Sequence, residues 1–204
     1  FGNYLASQIK KYQMTKRTMV LLGFLILAVA SRFLILLNPS WANFSPVSSM
    51  ALFAGAYALN QRQAILWSIL PIWISNLILN NVVYPQYFDG FSWGFDFVHL
   101  SLFAGIALLG SRISNVGSFV GANVISVLGF FILSNFAVWA SEAIGYGFKA
   151  GNAVVYAKDL SGLMTCFAAG LPFLKNAIIS QFLFSSVLFG GFELVKNKVP
   201  ALQR

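Results

Sequence analysis

The stretch LPFLKNAIISQFLFSSVLFGGFEL, residues 171–194, decides the fold. Its first two turns hold Pro172, Lys175 and Asn176, and a nearly unbroken apolar run follows. A helix of ~20 apolar residues crosses a bilayer, and residues 177–192 supply most of one. Lys175 then sits either at a membrane surface or inside the membrane against something polar, because an embedded amine is costly without a partner. The rest of the chain is read for groups at the same depth.

Of the 204 residues, 58% are hydrophobic and 9% charged, and the mean hydropathy is +0.77. A water-soluble domain carries about 25% charged residues, so lipid is the expected main solvent. The length suits one domain of six helices. A formal charge of +8 raises the question of nucleic acid, but the lysines and arginines sit in short loops and tails with no long basic patch. That is the pattern of membrane topology, and no nucleic-acid partner is expected. Cys166 is the single cysteine, which excludes an intramolecular disulfide and a multi-cysteine metal site; it reads as a small buried apolar residue.

Six apolar runs follow in order. Residues 1–17, with Lys10, Lys11, Lys16 and Arg17, form an expected cytoplasmic tail. Residues 18–37 make the first span, interrupted by Arg32 and ended at Asn38, Pro39 and Ser40. No cleavage site is evident, so this span is expected to remain as a helix. The second run, 46–59, is short; Pro46 suits a first turn and Ser45 an N-cap. Its small pairs Ala51/Gly55 and Ala54/Ala58 suit close helix contact in lipid. Residues 64–83 carry Pro71, Asn76, Asn80 and Asn81. The aromatic segment 84–95 has no lysine or arginine and reads as an ordered surface loop, with Tyr87, Phe91 and Trp93 on the underside of a lid. Residues 96–110 open with Asp96 and His99; residues 117–140 hold a Gly117/Gly121 pair, Asn135 and Trp139. The polar interval 141–160 precedes a second apolar piece, 161–171, and a break is expected at 170–172 before the sixth span. The transmembrane domain thus covers 18–195, and residues 196–204 form a second cytoplasmic tail.

With both termini inside, the polar residues sort to one level. Arg32, Asn76, Asn80, Asn135 and Trp139 lie near outward-running ends; Asn43, Asp96, His99, Lys175 and Asn176 lie near the starts of inward-running helices. Pairs at i,i+3 or i,i+4, such as Asp96/His99 and Asn176/Ser180, can share a helix face. The asymmetry points to a polar cavity open to the outside, in which Arg32 and Lys175 attract an anionic group, the asparagines orient it and Trp139 stacks on a ring. The plainer alternatives are interfacial water around Asp96, His99 and Asn176, a structural or snorkelling Arg32, and Lys175 as a surface anchor. A metal ion lacks a second histidine, nucleophilic catalysis lacks a base at helical spacing, and no phosphate-cradling glycine loop is present. No enzymatic activity and no cofactor are expected.

NFSPVSSMALFAGAY at 43–57, SNFAVWA at 134–140, DLSGLMTCFAAGLPFLKN at 159–176 and FSSVLFG at 184–190 resemble an uncharacterised bacterial integral-membrane family related to the S components of energy-coupling-factor transporters. The resemblance runs over about 18–195. It implies a six-helix bundle in the bacterial inner membrane, a small-molecule pocket under the outer loops, and a transmembrane coupling subunit with ATPases as partners. Two acids of the resembled pattern are amides here, Asn76 after Ser75 and Gln181 after Ser180. The expected function is capture of a vitamin-like micronutrient; the competing reading is a non-catalytic subunit of a larger membrane complex.

Nine lysines and arginines fall in inner segments and two, Lys149 and Lys158, in outer loops. Single cysteines replacing Ser92 and Gln203, with Cys166 changed to serine, should therefore react with a membrane-impermeant maleimide from opposite sides. Labelling of both from one side would overturn this topology.

Overall fold

The computed structural model describes residues 18–36, 44–140 and 156–199. Residues 37–43, with Asn43 and the expected end of the first span, the whole expected N-terminal tail, most of the C-terminal one and the interval 141–155 lie outside them. Among the described residues, six helices and a 3-10 turn Pro85–Tyr87 account for the regular structure: α1 (Thr18–Ser31, prolonged by a 3-10 turn Arg32–Leu36), α2 (Val47–Tyr57), α3 (Gln61–Ile78, prolonged by a π turn Leu79–Val83), α4 (Phe97–Gly110), α5 (Val116–Ala140) and α6 (Leu160–Lys198). There is no β-strand among the described residues. The helices through α3, α5 and α6 are long and apolar enough to cross a membrane, whereas α1, α2 and α4 are shorter apolar helices. At ~1.5 Å per residue, α2 is only about 16 Å long, against ~30 Å for a hydrocarbon core.

Short polar side chains set the helix starts. Asn60 accepts from the Gln63 amide at 2.9 Å, while Gln63 Oε1 accepts from the Leu59 amide at 2.7 Å. Asn115 and Ser118 exchange the same reciprocal pair, at 2.8 and 2.9 Å. Asp96 and Asp159 accept from His99 and Gly162 amides. Each satisfies a donor that the first helical turn leaves open. The expected Ser45 cap does not form. Pro46 takes the cap position without a side-chain bond, and Ser45 Oγ is buried with no partner among the described residues.

The expected break at 170–172 is also absent: α6 runs through Pro172 for 39 residues. Proline removes one amide donor, but ending a helix in lipid strips many backbone groups of partners, so continuity is favoured. Pro71 is carried inside α3 for the same reason. α6 continues through Lys196 and Lys198, inside what was expected to be tail.

Small residues hold α2 against α4. A Cβ at Gly55 would lie 1.9 Å from the Ala107 carbonyl oxygen, and one at Gly110 would lie 2.2 Å from that of Leu52. Ala51 and Ala54 are buried on the same helix, as their spacing suggests, and Ala58 is buried at its C-cap. The Gly117/Gly121 pair is different: Gly121 has open space around its Cα, and Gly117 meets only Asn115 of its own turn. α1 adds Leu21, Leu25 and Ala28 to the core, with Phe24 against Phe53 and Phe192 at centroid distances of 5.8 and 6.0 Å.

Gly55→Val and Gly110→Val should each destabilise the bundle by at least ~1–3 kcal/mol, the usual overpacking range. Gly121→Val should stay near the parent. Thermal unfolding in one detergent checks the contrast; equal effects at Gly110 and Gly121 would remove the close approach as a determinant.

Candidate functional site

The centre of the bundle is polar. Ser49, Asn123, Gln181 and Ser185 are buried on α2, α5 and α6. Ser49 Oγ donates to the Gln181 carbonyl at 3.0 Å, joining α2 to α6. Gln181 Nε2 donates to Asn123 Oδ1 at 2.8 Å and toward Ser185 Oγ at 3.4 Å. Asn123 Nδ2 closes the chain on the Phe119 carbonyl at 2.8 Å. A buried donor or acceptor without a partner costs about 1–3 kcal/mol, so each amide depends on the others.

Gln181 also lines a cavity of about 330 Å³ between α2, α4, α5 and α6. α2 supplies Val47 and Ser48 after Ser45, and α4 supplies His99 and Phe103. α5 contributes a face from Val127 to Val138 that includes Phe130, Phe131, Ser134 and Asn135. α6 contributes Gly170, Phe173, Leu174, Ala177, Ser180 and Gln181. Phe103 and Phe130 are stacked at 5.2 Å and 18°, and His99 lies 5.3 Å from Phe130. The lining comes from the starts of α2 and α4, the later half of α5 and the first half of α6, which in this up-and-down order share one end of the bundle.

The expected polar level divides into separate clusters. Arg32 donates to the Ile72 carbonyl at 3.3 Å, to Asn76 Oδ1 at 3.0 Å and to Ser75 Oγ, tying α1 to α3. Asn80 donates to Ser92 Oγ at 3.0 Å, and Asn81 exchanges bonds with the Ser92 backbone at 2.7 and 2.8 Å. Asp96 caps α4 and pairs with His99 Nδ1, as their spacing suggests. Of the expected binding residues that are described, only His99 and Asn135 line the cavity. Asn176 is half-buried outside the lining, and Asn43 lies outside the described residues.

Three expected features lie away from the cavity. Lys175 is exposed, does not line the cavity and makes no ion pair or hydrogen bond among the described residues. Its neighbours at i+2 and i+6, Ala177 and Gln181, face the cavity instead, because at 100° per residue the inward face of α6 excludes 175. Trp139 is at the end of α5, where its Nε1 donates to the Ala157 carbonyl at 2.8 Å and Lys158 lies 5.9 Å from its ring. The segment 84–95 is ordered but covers α3, not the cavity: Trp73 Nε1 donates to the Trp93 carbonyl at 2.9 Å and stacks on Phe95 at 5.3 Å. Phe91 and Trp93 are 63% and 66% exposed, so the expected underside of a lid faces outward.

Sequence reasoning paired Asn176 with Ser180, noted Gln181 only as an amide in place of an acid, and passed over Ala177 and Ser185. That i,i+4 series of small or polar residues within an apolar run was the available signal. No group of three histidine, cysteine, aspartate or glutamate side chains stands ready for a metal among the described residues.

These features define a helical membrane protein with a mixed aromatic and polar cavity in its interior. The chain belongs to a family of unknown function, DUF6580, whose model matches residues 12–202. Comparison with curated proteins and with solved structures gave no significant match.

Gln181→Leu and Asn123→Leu should each cost about 1–3 kcal/mol by stranding the other amide. The double variant should lose less than the sum of the two. A double-mutant cycle on detergent unfolding checks this, and strict additivity would mean the two amides do not support one another.

Proposed function

We propose that this chain is a multi-pass protein of the bacterial inner membrane that binds a small, vitamin-like organic molecule and serves its uptake, in the manner of the S components its sequence resembles. The carrying observation is the cavity: about 330 Å³ of space inside a membrane protein, walled by phenylalanines and furnished with His99, Asn135 and Gln181. This is near the lower end of the ~300–1,000 Å³ typical of small-molecule sites, which combine apolar walls with a few polar groups. In this reading the side chains bind and orient and no bond is made or broken. Both termini are cytoplasmic, the cavity belongs to the outer half, and a transmembrane coupling subunit with ATPases supplies the energy for release.

Native mass spectrometry of protein extracted directly from its own membranes is the test. The parent should carry one small molecule beyond lipid and detergent. Ala177→Phe, which fills the cavity, should lose that molecule while keeping its unfolding temperature within a few degrees. A parent that carries nothing and copurifies with stoichiometric membrane subunits lacking ATPases would replace the uptake reading with that of an accessory subunit.

A further inference from the structure

We propose that the ligand of this cavity is a nitrogenous molecule that donates N–H hydrogen bonds, and not the anion that Arg32 and Lys175 suggested. The inference rests on the cavity being a binding site, and it follows from which hydrogen-bonding capacity the protein has already used.

The amide orientations are fixed by a chain of bonds that begins at a carbonyl. Phe119 O can only accept, so the Asn123 atom 2.8 Å from it is Nδ2. Asn123 therefore turns Oδ1 toward Gln181, which must answer with Nε2. The second Nε2 proton points to Ser185 Oγ. Both Gln181 protons are thus committed inside the bundle. No donor reaches its Oε1 among the described residues, on a residue 2% exposed that lines the cavity.

The same accounting runs along the walls. Asn135 Nδ2 donates to the Phe131 carbonyl at 2.7 Å, which leaves Oδ1 and one amide proton. Ser134 and Ser180 donate their hydroxyl protons to the Phe131 and Ala177 carbonyls, at 3.3 and 3.1 Å, and keep lone pairs only. The hydroxyls of Ser45 and Ser48 can donate or accept. No lysine or arginine is among the described lining residues, and the His99 ring is paired with the Asp96 carboxylate. Four phenylalanines wall the cavity, and an aromatic ring face attracts a cation or a polarised N–H and repels an anion. Acceptors outnumber donors, and the complement is a donor: an ammonium, an amidinium or an amino-substituted heterocycle with a planar body.

The test titrates protein in lipid nanodiscs with three probes of one ring size: benzamidinium, aniline and benzoate. Benzamidinium and aniline should both bind at least tenfold more tightly than benzoate. The order of the first two separates a cationic from a neutral N–H ligand. Gln181→Leu should weaken the better probe roughly tenfold; the joint variant Ser134→Ala with Ser180→Ala, which leaves the interhelical amides alone, should weaken it severalfold. Benzoate binding as tightly as either nitrogen probe would overturn the inference, as would failure of all three to bind. The molecule detected by native mass spectrometry decides separately whether the cavity binds anything at all.

Discussion

The hydrogen bond between Gln181 and Asn123 is the constraint on which the interior depends. Inside a membrane, lipid tails solvate apolar helices as well as other helices do, so the hydrophobic effect gives little reason for α2, α5 and α6 to meet. Polar groups in hydrocarbon do give one. Ser49, Asn123, Gln181 and Ser185 are all buried, and their bonds span three helices. The same bonds fix which end of the Gln181 amide faces Asn123. The interaction that gathers the helices therefore also determines the chemistry shown to the cavity.

A second constraint places the cavity beside that junction. Gly55 and Gly110 bring α2 and α4 close enough that neither tolerates a Cβ in the present packing. The two short helices are thus pinned as a pair, while α5 and α6 are far longer. At ~1.5 Å per residue, α5 extends about 37 Å and α2 about 16 Å. Where α2 begins, nothing of its length remains to fill the gap between α4 and the two long helices. Serines at 45 and 48, the ring of His99 and the α5 phenylalanines border that gap without closing it.

The helices were legible because lipid demands long apolar runs; the local bonds of Asn60, Asp96, Asn115 and Asp159 then set where they start. The α2 seam was legible for a similar reason: Ala51, Gly55, Ala54 and Ala58 lie on faces that i,i+4 spacing defines. Helix continuity at Pro172 was not, since proline signals a break in water, where a freed carbonyl finds a solvent partner. The orientation of Lys175 was not legible either. Depth follows from counting residues along a span, but facing depends on where the neighbouring helices sit, and only Ala177, Gln181 and Ser185 together point to the inward side of α6. The outward turn of Phe91 and Trp93 has the same origin, because Asn80, Asn81 and Trp73 claim the Ser92–Trp93 backbone for α3.

Polar residues at one membrane depth are therefore not one site, and residual hydrogen-bonding capacity separates them. The Arg32 guanidinium is held by Ser75, Asn76 and the Ile72 carbonyl, so the charge that seemed suited to a ligand carboxylate is already engaged in joining α1 to α3. Asn80 and Asn81 are bonded to Ser92 in the same structural sense. Gln181 and Asn135 differ. The Gln181 nitrogen is engaged through both protons and the Asn135 nitrogen through one, and their oxygens are left over, beside aromatic walls and in a space closed on several sides. An acceptor left open in a low-dielectric interior is costly until a donor arrives, which is the energetic condition for recognising an N–H ligand over water-exposed competitors. A carboxylate would meet the same oxygens as repulsion. The electrostatic sense of the cavity follows from how the helices hold one another, and it is opposite to that of the chain's net charge.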